Sequence, residues 1–294
     1  MAQNLATHQL KAEKLFSVAG SVCLITGGGT GIGLMCAQAL AANGAKVYIT
    51  SRRIDVLETA AEAHSPDGPG RIIPIGPCDV TSKEGLESLR ADLSTKETHL
   101  DLLICNAGIS GPKANPDSAD ANELRAQLWE KESPAAWSDV FNTNVTAVYF
   151  TTVAFLPLLQ AAASQGHEAG NVIVISSMSG IMRYAQGHFS YNAAKGAAVH
   201  LTKLMSTEFA KTGVRVNSIA PGYFPSEMTT GESDERNKSQ MADDKVMGKG
   251  HAVPAGRAGS DEEMAMACLF LARNRYVNGE IVAVDGGVLG QVPG

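Results

Sequence analysis

The sequence predicts an α/β fold: one doubly wound parallel sheet of about seven strands, with helices on both faces. Three observations carry this. Short apolar runs rich in Val, Ile and Leu alternate with segments of helical period along nearly the whole chain, and such alternation implies parallel pairing through right-handed crossovers. The strands are apolar almost without interruption, as in a sheet covered on both faces. A glycine-rich turn joins the first strand directly to the first helix.

Residues 1–17 form an extension of short helical character, and 18–294 read as a single domain. Val22 to Thr26 (VCLIT) is the first strand, Gly27 to Gly33 (GGGTGIG) the turn, Leu34 to Asn43 a helix and Lys46 to Thr50 the second strand. A helix over Ile54 to His64, a loop and a strand over Ile72 to Ile75 follow. Ser82 to Ser94 is helical, and Leu100 to Cys105 is a strand ending in Asn106-Ala107-Gly108. The Pro-, Asn- and Asp-rich stretch after Gly111 reads as a surface insertion, with a helix over Glu123 to Lys131. A long uncharged helix covers Asn144 to Gln165. Then come a strand at Asn171 to Ile175, a helix around Tyr191, a strand at Arg215 to Ala220 and a polar, weakly periodic segment over Tyr223 to Pro254. An amphipathic helix at Asp261 to Ala272 and a strand at Ile281 to Val284 complete the series.

Composition excludes several classes. With 294 residues, 44% hydrophobic, the chain can bury a large core. A net charge of −6 gives no electrostatic footprint for nucleic acid. The five cysteines have no CxxC or metal spacing and read as small core residues of a reducing compartment, so a cytoplasmic location and no metal are expected. The N-terminus has no apolar signal-peptide core. The uncharged run from Asn144 has the length of a membrane span, but its threonines, the interior Pro157 and the lack of basic flanks favour a buried or subunit-facing helix.

Two motifs carry chemistry. In the turn, Gly27, Gly31 and Gly33 are spaced G-x-x-x-G-x-G. Glycines there permit a tight turn and bring backbone N–H groups to a phosphate at a helix N-terminus. Further on, Tyr191 and Lys195 stand four apart, one turn apart on one helix face. A phenol titrates near pH ~10, and a nearby ammonium lowers that by about 1–3 units, so Lys195 is expected to tune Tyr191 for proton transfer. Ser177 lies just past the strand at 171–175, where open α/β sheets bind ligands. Taken singly, Asn144 also suits a helix N-cap, Asp79 the cap of the helix near Ser82, and Asn106 a turn.

In chain order, TGGGTGIG at 26–33, Asp79, Asn106-Ala107-Gly108, Ser177 with Tyr191-x-x-x-Lys195, and Pro221-Gly222 each fall at a strand end. Over about residues 18–290 this pattern resembles the short-chain dehydrogenase/reductase family. The resemblance implies a Rossmann-type fold and nicotinamide-dependent carbonyl/alcohol chemistry on a small-molecule substrate. Gly27, Thr30, Gly31, Ile32 and Gly33 would cradle the pyrophosphate. Asp79 and Val80 would contact the adenine, and Asn106, Ala107 and Gly108 the adenine-ribose side. Pro221, Gly222, Phe224 and Ser226 would border the nicotinamide. Position 226 is Ser where the family more often has Thr, which keeps the hydroxyl. Asn144 would hold a water in a proton relay, Ser177 would bond the substrate oxygen, and Tyr191 would protonate it. Lys195 would lower the Tyr191 pKa and bind the nicotinamide ribose. Ser177 is chosen over Ser176 and Ser179 because Gly180 follows at the family offset. The gap from Ser177 to Tyr191 is one residue longer than usual, so a bulged loop is expected.

The end of the second strand selects the dinucleotide. An acid there binds the ribose 2′-OH of NAD, and an Arg accommodates the 2′-phosphate of NADP. Thr50-Ser51-Arg52-Arg53 has no acid. Ser51, Arg52 and Arg53 therefore point to NADP(H), the guanidinium offering a bidentate fork. Residues 223–254 are expected to form a lid, and Met178, Tyr184, His188, Tyr223 and Met228 to line a fairly hydrophobic substrate pocket. The 110–135 insertion and the N-terminal extension resemble those of fungal and bacterial reductases of lipid or secondary metabolism. The family resemblance also implies a homodimer or homotetramer built through the helices after 144 and after Tyr191. A non-redox enzyme on the same scaffold, a dehydratase or isomerase, is one alternative. A nucleotide-sensing regulatory protein is another, and the intact Asn144, Ser177, Tyr191, Lys195 set argues against it.

Overall fold

The computed structural model describes residues 6–164, 170–243, 246 and 253–292. A 3-10 turn (Thr7–Leu10) and a one-turn helix α1 (Ala12–Leu15) precede β1 (Val22–Thr26), α2 (Gly31–Ala42), β2 (Lys46–Thr50), α3 (Ile54–His64) and β3 (Arg71–Pro74). Then follow α4 (Lys83–Lys96), β4 (Leu102–Cys105), α5 (Ala121–Trp129), α6 (Pro134–Phe141), a π-helical turn (Asn142–Thr146) and α7 (Ala147–Ser164). The rest is β5 (Asn171–Ile175), α8 (Phe189–Glu208), β6 (Arg215–Pro221), α9 (Glu227–Thr230), α10 (Asp261–Arg273) and β7 (Ile281–Val284). The strands form one parallel seven-stranded sheet in the order β3-β2-β1-β4-β5-β6-β7. This is the doubly wound Rossmann-type sheet, with the order reversing between β1 and β4.

Alternation along β1 divides the core. Cys23 and Ile25 face a layer made with α2, α3 and α10, including Leu34, Leu40, Leu57 and Leu271. Val22 and Leu24 face the opposite layer, made with α4, α7 and α8, including Leu86, Leu93, Phe155, Leu159 and Met205. Both faces are covered, so strands such as β5 are buried at every position. The registers Thr26↔Thr50 and Thr26↔Cys105 keep the C-terminal ends of β2, β1 and β4 level. The crevice opens at that edge.

Several sequence expectations change. α2 starts at Gly31, not Leu34, so Gly31 and Gly33 lie in its first turn. The long helix starts at Pro134 rather than Asn144. Ser133 caps it by accepting from Ala136 N, and proline occupies the first helical turn. α6, the π turn and α7 run on as one helix over Pro134–Ser164, long and apolar enough to cross a membrane by length and composition. Here Val148, Phe155, Leu159 and Ala162 are buried against the sheet, while Tyr149 and Val153 are exposed. Gln165, like residues 1–5, 244–245, 247–252 and 293–294 of the expected extension, lid and C-terminus, lies outside the described residues. All five cysteines are buried and free.

Candidate active site

The glycine turn is held by three strand ends at once. Gly27 N donates to Thr50 O at 2.7 Å. Asn106 Nδ2 donates to Thr26 O at 3.1 Å and Gly27 O at 2.9 Å. In return Thr26 Oγ1 accepts from Asn106 N at 3.0 Å and Ala107 N at 3.2 Å. Gly27 has φ +64, a conformation that favours glycine. A Cβ on Gly33 would run into Gly27 O and stand 2.5 Å from Asn106 Nδ2. Gly33 therefore acts behind the turn, by letting β4 close on α2. Asn106 is a clasp between strands rather than a simple turn residue. The first N–H groups of α2 have no acceptor within the helix, and that helix end opens into a cavity of about 560 Å³.

Nearly all the sequence-selected residues line this cavity. Gly27, Thr30, Gly31 and Ile32 meet Ser51, Arg52, Arg53, Asp79 and Val80 on one side. Asn106, Ala107, Gly108, Ser177, Tyr191, Lys195, Pro221, Gly222, Phe224 and Ser226 complete the wall. Gly33 and Asn144 stand behind it. Asp79 does not cap α4. Ser82 does, accepting from Gly85 N, while Asp79 Oδ1 accepts from Thr81 N and Oγ1.

Asn144 is not an N-cap either. It lies in the π-helical turn, 1% exposed. Its Oδ1 accepts from Ile109 N and its Nδ2 donates to Ile109 O, both at 2.9 Å. The widened turn aims this side chain at the strand-end loop. A Cβ on Gly108 would stand 3.0 Å from Asn144 Oδ1 and 3.7 Å from Lys195 Nζ. A side chain at position 108 would press on Asn144 Oδ1, so the glycine eases its approach to the loop.

Lys195 is 5% exposed, donates to Ile175 O at 2.8 Å, and holds Nζ 5.7 Å from the centre of the Tyr191 ring. Burial pushes its pKa down to about 8. The Tyr191 phenol moves opposite to the sequence expectation: burial pushes it above the ordinary value. The lowering influence comes from a hydrogen bond with Ser177, not from Lys195, whose ammonium is directed to the Ile175 carbonyl. Among the three serines, Ser176 is taken up by Ser218 Oγ and Ile219 O, and Ser179 by Gln186. Ser177 is the one that meets Tyr191. Gly180 fits tightly against the Lys195–Gly196 backbone. The loop between Ser177 and Tyr191 carries two left-handed residues, Gln186 at φ 55 and Gly187 at φ 75.

Of the five substrate-pocket candidates only Met228 lines the cavity. Met178 is buried in a separate apolar cluster with Met182, Val253 and Val288, and Tyr184 is exposed. His188 and Tyr223 are partly buried and absent from the wall. The wall also holds residues that the sequence motifs do not mark: Ile109 from the loop after β4, Asp139, Asn142 and Thr143 from the long helix, and Glu227 and Thr229 from α9. Ser133-Pro134 and the Ser226/Thr229 pair are helix-start patterns that could have revealed them.

A family model described as short chain dehydrogenase matches residues 21–237. The short-chain dehydrogenase/reductase PhomF of Diaporthe leptostromiformis is 39% identical over 296 residues, covering 98% of this chain and 97% of that protein. The chain belongs to the short-chain dehydrogenase/reductase family. It is also 33% identical to the rhamnolipids biosynthesis 3-oxoacyl-(acyl-carrier-protein) reductase of Pseudomonas aeruginosa, over 92% of this chain and 97% of that one. Among solved structures, the Pseudomonas aeruginosa RhlG/NADP active-site complex superposes with a TM-score of 0.76 at 32% identity, covering 93% of this chain and 98% of that one. A 7α-hydroxysteroid dehydrogenase complexed with NADH and 7-oxo glycochenodeoxycholic acid gives 0.76 at 26% identity, covering 96% and 99%. The short-chain dehydrogenase/reductase family binds nicotinamide cofactors, and the cavity fits one: a glycine cradle and helix N-terminus for the phosphates, with Ser177, Tyr191 and Lys195 on the same wall.

Proposed function

We propose that the chain is an NADP(H)-dependent oxidoreductase interconverting a ketone and a secondary alcohol of hydrophobic or secondary-metabolite type. The observation that carries this reading is one cavity with Ser177, Tyr191 and Lys195 in its wall and an acid-free, two-arginine end of β2 in the same wall. Gly27, Thr30, Gly31 and Ile32 bind the pyrophosphate, with Gly33 supporting the turn from behind. Asp79, Val80 and Asn106 to Gly108 bind the adenosine side, and Pro221, Gly222, Phe224 and Ser226 the nicotinamide side. Arg52 and Arg53, with Ser51, take the 2′-phosphate.

The nicotinamide, when bound, supplies or accepts the hydride. Ser177 and Tyr191 donate hydrogen bonds to the substrate oxygen, each such donor being worth roughly 10²–10³ in rate. Burial keeps the Tyr191 phenol protonated at neutral pH, as a general acid for reduction must be. Lys195, with its pKa near 8, exchanges protons under the same conditions, and Asn144, fixed by Ile109, orients the relay water.

The apolar wall residues Met228, Phe224 and Ile109 support a hydrophobic substrate, as do the 3-oxoacyl and steroid substrates in the relatives' names. A homodimer or homotetramer accords with the exposed Tyr149 and Val153 on α7 and Leu204 on α8, and a cytoplasmic location with the five free cysteines. Purified protein mixed with NADPH or NADH and a panel of aliphatic, aromatic and 3-oxoacyl ketones tests the reading. Stoichiometric NADPH oxidation is expected. NADPH that binds but is never consumed would overturn it.

A further inference from the structure

The sequence at the end of β2 contains no acid, but the fold brings one there. Glu227 opens α9, 174 residues beyond Arg53, and takes both ends of its guanidinium. Arg53 Nη2 donates to Oε2 at 2.7 Å and Nη1 to Oε1 at 3.5 Å. Ser233 Oγ donates to the same Oε1 at 2.9 Å. Arg53 holds the Glu227 carboxyl below the usual range, so it is ionised at neutral pH. Both residues line the cavity.

The segment bearing Glu227 is fastened over the nucleotide side. Ser226 abuts the glycine turn, 2.8 Å from where a Cβ on Gly31 would stand. Asn237 Nδ2 donates to Val56 O at 2.8 Å, and Arg236 Nη2 to Ala63 O at 3.1 Å. His64 Nε2 lies 2.6 Å from Arg236 O, and Lys238 reaches Gln38 and Asp261. Residues 226–239 thus form a strap tied to α2, α3 and α10.

A carboxylate in this place affects the two dinucleotides differently. A 2′-phosphate needs the fork that Glu227 occupies, and two anions within a few ångström repel strongly in a partly dry site. A bare 2′-hydroxyl makes no such demand. We propose that Glu227 is a cofactor-discriminating residue: its carboxylate fills the Arg53 fork in the free protein and must be displaced by the 2′-phosphate of NADP(H). The proposal rests on the NADP(H) reading above. It implies that the chain holds NADP(H) less tightly than its arginines alone would allow, and that NADP(H) but not NAD(H) releases the strap at Glu227.

Fluorescence titration of NADPH, NADH and the fragment 2′,5′-ADP into wild type, Glu227→Gln, Arg53→Gln and the double variant tests this without turnover. Gln keeps the size of the side chain and an acceptor for Ser233. Glu227→Gln is expected to lower Kd for NADPH and 2′,5′-ADP about fivefold, the upper range for a partly exposed ion pair, and to leave NADH within about twofold. That gain should vanish when Arg53 is also Gln. Unchanged NADPH and 2′,5′-ADP affinity in Glu227→Gln would overturn the proposal while leaving the NADP(H) reading intact. Weakened NADH binding in Glu227→Gln would overturn it by making Glu227 a ribose-hydroxyl ligand. A wild type that prefers NADH, with Arg53→Gln indifferent to NADPH, would overturn the NADP(H) reading itself.

Discussion

Replacing Lys195 by Met should change how stability depends on pH, in a direction fixed by burial. The ammonium is 5% exposed and its pKa falls from 10.5 to about 8. A lysine depressed on folding binds its proton more weakly in the native chain than in the unfolded one. Its stabilising contribution is therefore full above about pH 10.5 and is lost as pH falls through about 8. The gap between 10.5 and about 8, at about 1.4 kcal/mol per pH unit, is worth about 3 kcal/mol. Other groups titrate in both proteins, so the quantity to follow is the wild-type unfolding free energy minus that of Lys195→Met. Urea unfolding across about pH 7 to 10 measures it. The difference should rise with pH by about 2–3 kcal/mol, the hydrogen bond to Ile175 O adding an offset in favour of wild type. A difference that stays flat over this range would mean that Lys195 keeps an ordinary pKa, and would remove the basis for its exchanging protons near neutrality.

Two further substitutions probe the scaffold. Asn144→Leu strips Ile109 of both backbone partners and should cost about 2–4 kcal/mol in urea unfolding; a cost under about 1 kcal/mol would show that the π turn does not hold the strand-end loop. Gly33→Ala drives a Cβ into Gly27 O and Asn106 Nδ2, so NADPH affinity should fall about tenfold or more by titration while far-ultraviolet circular dichroism is retained.

The sheet was legible because its strands are short apolar runs set off by polar or glycine-rich turns. β1, β2, β5 and β7 have the bounds expected from sequence. Helix starts were less legible: Ser133-Pro134 is an N-terminal pattern, yet the insertion before it masked the start of the long helix, and the π turn at Asn142–Thr146 leaves no periodic trace. Tyr191, Lys195 and Ser177 could be chosen by motif, but the direction of the Tyr191 shift could not, since it depends on burial. Glu227 was hidden for another reason. Its partner Arg53 is distant in sequence, and the weak period of residues 223–254 gives no hint that 226–239 dock on α3 through polar contacts to its backbone. Met228 reaches the cavity from that segment, whereas Met178 packs in the apolar cluster with Met182 and Val288 and Tyr184 is exposed.

The proton donor is the centre of the proposed chemistry, and Tyr191→Phe tests it most directly. The substitution keeps the ring beside Lys195 and removes only the hydroxyl that meets Ser177. Ketone-dependent NADPH oxidation should fall by about 10²–10⁴-fold, with the NADPH dissociation constant within about twofold of wild type. Turnover at the wild-type rate in Tyr191→Phe would contradict the assignment of Tyr191 as the acid.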